Sequence, residues 1–117
     1  MGAFTVSLWV GNIFTDDGAS VEALVDTGAT YSMIPGNLLR DLGIEPVETI
    51  VSVIADGSRM ELETAWARFT AEGRNAVARV SFGPEGVYLM GATTLEDMRL
   101  AVDPVDRRLV EREALLM

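Results

Sequence analysis

The segment of this sequence best suited to chemistry is Leu24-Val25-Asp26-Thr27-Gly28-Ala29-Thr30. An apolar run delivers a carboxylate into a turn. Gly28 lets the backbone bend where a side chain would clash, and Thr27 can hydrogen-bond locally and hold the loop. The chain has no histidine and no cysteine. A Ser-His-Asp triad, a histidine-bound zinc, a thiolate metal site and a cysteine nucleophile therefore all lie outside its chemistry. Proton transfer near neutral pH falls to carboxylates, tyrosine or water. Taken as three letters, Asp26-Thr27-Gly28 suits an ordinary Asx-turn closing a strand just as well, so its surroundings must decide.

Those surroundings belong to a chain of 117 residues, 49% of them hydrophobic, which is one domain of ordinary size with enough apolar matter for a real core. A net charge of −9 repels nucleic-acid phosphates and anionic lipid headgroups, so neither nucleic acid nor a membrane surface is expected as a partner. No apolar run reaches the length of a membrane span. The opening residues Met1 to Val6 alternate like a strand and lack the basic start of a signal peptide. Cytoplasm is the expected compartment.

The elements that must position Asp26 read as mostly β. Phe4, Val6, Leu8 and Val10 fall on one face of a strand running to Ile13. Thr15-Asp16-Asp17-Gly18 signals a tight reversal in which Gly18 supplies a positive φ. The return strand ends in the apolar Ala23-Leu24-Val25, directly before Asp26. Pro35 and Gly43 bracket a short helix. Ile50–Ile54 and Met60–Glu63 form a hairpin with Ala55, Asp56, Gly57 and Ser58 at its tip. A further pair, Trp66–Thr70 and Val77–Phe82, turns across Glu72-Gly73-Arg74-Asn75. Val87–Met90 is an apolar strand stopping at Gly91. Thr93 and Glu96 have the spacing of a capping box that opens a second short helix. Ala101-Val102 and Arg108–Val110 are strands about Asp103-Pro104. Trp9 and Trp66 are expected in the core rather than in a cleft.

Four of these features, in this order, resemble the retropepsin-like aspartic peptidases, over roughly Ala23 to Val110. They are the apolar-apolar-Asp-Thr-Gly-Ala loop, the stretch Tyr31-Ser32-Met33-Ile34-Pro35, the mid-chain hairpin at Asp56-Gly57, and Leu89-Met90-Gly91 leading into a helix with Leu95. The resemblance implies a closed, barrel-like, mostly-β fold with one or two short helices, spanning residues 1–117 as one domain. It also implies a symmetric homodimer acting on peptide or protein substrates, with no metal and no cofactor. By the same resemblance Asp26 is the catalytic carboxylate. Thr27, Gly28 and Ala29 support its loop, Ala55 to Ser58 form a flap, and Leu89, Met90 and Gly91 form the second apolar-Gly element. Retroviral members usually carry arginine soon after that glycine, whereas Ala92 and Thr93 stand here, so the chain looks closer to bacterial and cellular members.

Chemistry agrees with a dimer. Hydrolysis by carboxylates needs one ionised group to take a proton from water and one protonated group to polarise the carbonyl. One Asp-Thr-Gly per chain provides one carboxyl, and a two-fold axis provides the other. Ala29 cannot donate a hydrogen bond to the ionised form as a hydroxyl would, which points to a less acidic optimum. Asp16, Asp17, Asp103 and Asp106 read as solvated turn residues. Leu115-Leu116-Met117 suits either a dimer contact or a frayed end. The competing function is a non-catalytic dimerisation or peptide-binding module that keeps the fold.

Overall fold

The computed structural model of the chain describes residues 3–113. The Leu115-Leu116-Met117 segment lies outside them. Alternating apolar residues make β1 (Thr5–Gly11) and β2 (Gly18–Val25) a hairpin, with Leu8, Val10, Ala23 and Val25 turned into the core. After the Asp26 loop come β3 (Ser32–Pro35) and α1 (Gly36–Asp41), which Pro35 caps and Gly43, at φ 80°, helps to end. β4 (Glu48–Val53) and β5 (Arg59–Ala71) form the mid-chain hairpin, and β6 (Arg74–Gly83) follows. The short β7 (Leu89–Met90), α2 (Ala92–Asp97), β8 (Leu100–Asp103) and β9 (Arg108–Glu111) complete the described chain.

Seven strands share one sheet in the order β1-β2-β7-β3-β6-β5-β4, while β8 and β9 pair separately. β1 also pairs with β5 through Trp9–Gly11. Leu8, Ile34, Leu39, Phe69, Val80 and Met90 are fully buried between these elements. The β7 strand is inserted parallel to β2 and touches β3 at Met33 and Leu89, so the chain on both sides of Asp26 is gripped by one short segment. No helix among the described residues is long and apolar enough to cross a membrane.

Four local expectations are corrected. The β1–β2 connection is a six-residue loop, not a tight reversal, and Gly18 is not among the positive-φ glycines. Gly18 is needed for a different reason: the Trp9 indole lies across it and Gly11, and a Cβ would fall 2.1 and 2.2 Å from ring carbons. Trp9 is accordingly half-buried and Trp66 is 44% exposed, so neither belongs to the core. The two strands read around Glu63-Thr64-Ala65 are one continuous β5. Thr64 and Ala65 are buried consecutively where the pairing with β4 ends and the pairing with β6 begins, which breaks the alternation without a turn. Finally, α2 has no side-chain cap, because Gly91 is its N-cap and Thr93 falls inside the first turn.

Candidate active site

Asp26 follows directly from β2, and its position is set from three sides. Its own N–H donates to the Met90 carbonyl oxygen at 3.0 Å, that of Val25 to Phe4 at 3.0 Å and that of Leu24 to Tyr88 at 2.9 Å. Its side chain accepts the Gly28 N–H through Oδ1 at 3.0 Å, and its carbonyl accepts from Ala29 at 3.2 Å. The Asx-turn and the delivery of an acid on an apolar strand are thus both present. The carboxyl is half-buried, with Thr27 and Gly28 exposed beside it. A Cβ at Gly28 would stand 3.3 Å from Asp26 Oδ1, a tight approach at which the carboxylate must give by a few tenths of an ångström.

The second apolar-Gly element locks this loop from below. Ala92 N–H donates to Ala29 at 2.8 Å and Thr93 N–H to Thr30 at 3.0 Å. Gly91 is forced: a Cβ there would lie 2.5 Å from the Tyr31 carbonyl and 2.9 Å from that of Ala29. Its N–H donates to Ser32 Oγ at 3.0 Å, and that hydroxyl meets Thr94 Oγ1 at 2.6 Å. Ser81 Oγ donates to the Ser32 carbonyl oxygen at 3.1 Å. All three hydroxyl residues are buried, so the network holds the loop where water cannot compete for its hydrogen bonds. Sequence reading passed over Ser32, Ser81 and Thr94. Their signal is a small hydroxyl residue inside an otherwise apolar strand or first helical turn.

Beside the loop lies a groove of 560 Å³. Gly28 to Tyr31 form one wall and Leu89 contributes to it. Ile50 to Ile54 of the mid-chain hairpin, with Met60 and Leu62, form the facing one. The hairpin tip, Ala55 to Ser58, is exposed and lines no part of the groove. It is nonetheless built: Gly57 takes φ 88° and donates to Ile54 at 2.8 Å, and Ser58 N–H donates to Asp56 Oδ1 at 2.8 Å. Hydrogen bonds from Ser58 hold the Asp56 carboxyl below the ordinary value of 3.8. Val51, Val53, Ile54 and Met60 expose apolar surface on the hairpin. The described residues contain no cluster of three carboxylates able to hold a metal ion.

An aspartyl protease family model matches residues 11–102, a span that contains the Asp26 loop, the mid-chain hairpin and the Gly91 element. Among solved structures, the protease of simian foamy virus (mac), determined in solution, superposes with a TM-score of 0.59. It is 21% identical, and the match covers 79% of this chain and 91% of that one. At that identity the likeness establishes a shared retropepsin-like fold. No curated protein matches the sequence. On the extent of the family match, this chain belongs to the aspartyl protease family, with a retropepsin-like fold.

Proposed function

We propose that the chain is an aspartic endopeptidase whose site is completed by two copies, each contributing Asp26. The observation that carries this reading is the loop itself. A carboxyl at the edge of a groove is fixed through its own backbone to β7 and through Ala29 and Thr30 to the start of α2. None of the residues lining that groove is acidic. Asp26 itself is not among them but lies two residues before Gly28, which is, and a second carboxylate beside it would come from a second Asp26 across a two-fold axis.

In this assembly the two Asp26 carboxyls share one proton, since two like charges at close range cannot both persist. The ionised group takes a proton from a water lying between them as its oxygen attacks the peptide carbon. The protonated group gives its proton to the carbonyl oxygen, and collapse of the tetrahedral species passes a proton to the departing nitrogen. No bond to the protein forms. Thr27, Gly28 and Ala29 hold the loop, and the hairpin tip at Ala55 to Ser58 closes over the substrate as a flap, with hydrogen bonds to the intermediate. Substrate lies extended between the hairpin and the wall formed by Gly28 to Tyr31. The pairing of β1 with both β2 and β5 supports a closed barrel as the rigid frame.

Cleavage of a diverse peptide library from about pH 4 to 7.5, with Asp26→Asn beside the wild type, tests the reading. Cuts made by wild type and lost in the variant are expected. A dimeric wild type that cuts nothing would favour a binding module that keeps the fold.

A further inference from the structure

A second cavity, of 260 Å³, shares Tyr31 with the groove and is otherwise bounded by Trp66, Arg79, Thr93, Glu96 and Asp97. Its groups differ in what they have left to offer. Arg79 is occupied: its guanidinium stacks over the Trp66 ring at 4.5 Å, pairs with Glu48 and donates to Thr64 Oγ1 at 2.9 Å. Thr93 borders the cavity with its Oγ1 enclosed by protein and without a hydrogen-bond partner among the described residues. Trp66 keeps 44% of its surface exposed although it borders a cavity. Glu96 and Asp97 are exposed, and neither makes an ion pair among the described residues.

We propose that this cavity is an outer specificity subsite that takes a basic side chain of the substrate, an inference that rests on the peptidase reading. Such a side chain has the two parts the cavity asks for. Its aliphatic stem covers Tyr31 and the open part of Trp66, and its cationic head reaches Glu96 and Asp97. An acidic side chain would find Arg79 already neutralised and two carboxylates opposing it. A purely apolar one would leave both carboxylates without a partner. Because Tyr31 borders both cavities, a peptide in the groove reaches the subsite with a residue outside the pair flanking the cleaved bond. The net charge of −9 adds long-range attraction for basic substrates.

The test separates this subsite from the peptidase reading by measuring binding and cleavage independently. A peptide cut by wild type, or failing that one bound by it, is remade with Arg, norleucine or Glu at each position in turn. Affinities are measured on Asp26→Asn, which cannot cut, and kcat/KM on wild type. At one outer position Arg is expected to exceed norleucine by about fivefold, the scale of a partly exposed ion pair, with Glu weakest. In Glu96→Gln/Asp97→Asn the ratio of Arg to norleucine should fall close to one. Equal affinity for all three peptides at every position, or a preference for Arg that survives the double variant, overturns the subsite. A preference seen in binding without any cleavage by wild type leaves the subsite standing and overturns the peptidase reading alone.

Discussion

At Gly91 a single hydrogen atom decides the architecture, because any Cβ would enter the Tyr31 backbone at 2.5 Å. Gly91→Ala is expected to cost about 1–3 kcal/mol of stability, read from the denaturant midpoint, since the neighbour that must give way is backbone and not a flexible side chain. Ala29 carries a different prediction. Ala29→Ser places a hydroxyl beside the Asp26 carboxyl, where it favours the ionised form, so the pH-rate optimum should move to lower pH. An optimum that stays in place would refute that role. The Asx-turn from Asp26 to Gly28 was legible in the sequence, because an aspartate with a glycine two residues on, after an apolar run, favours that turn. The hydroxyls of Ser32, Ser81 and Thr94 were not. Their partners lie 49 to 62 residues away along the chain, and no local pattern encodes such a meeting.

The mid-chain hairpin shows how an element inherits its limits from local chemistry. Its existence and its tip could be read directly, since Asp56-Gly57 between β-branched and alternating runs leaves little choice of turn. Asp56 stabilises that turn in its ionised form. Its folded value lies below the ordinary 3.8, so the contribution is complete above 3.8 and is lost as pH falls through the lowered value. The Ser58 amide resonance should therefore titrate with a midpoint below 3.8, and a midpoint at or above it would contradict the hydrogen bond. The second helix was legible as a helix but not in its cap. The Thr93–Glu96 spacing fits a capping box, yet the close passage of Gly91 past Tyr31 starts α2 at Ala92, and tertiary packing overrides the local preference. Continuity of β5 escaped for a related reason. Buried faces on both sides at Thr64 and Ala65 interrupt the period-two pattern exactly as a strand end would look in sequence, although the backbone runs on.

For the molecule as a whole, the sequence carried the mostly-β class and the order of elements, because each short strand advertises its own alternation and its own turn. Which strands pair was less accessible: the insertion of β7 between β2 and β3, and the contact of β1 with β5, join segments far apart in sequence. That long-range frame is what holds one carboxyl at a groove edge, and one carboxyl leaves the proposed chemistry half-supplied. The decisive measurement mixes subunits. Wild type at fixed concentration is titrated with Asp26→Asn under conditions where the protein is dimeric and exchanging, and peptide cleavage is followed. If each site draws one Asp26 from each copy, mixed pairs are dead. Activity per wild-type chain should then fall to about half at equal amounts and keep falling with excess variant. Activity that stays constant per wild-type chain would contradict the shared site and show that one copy works alone.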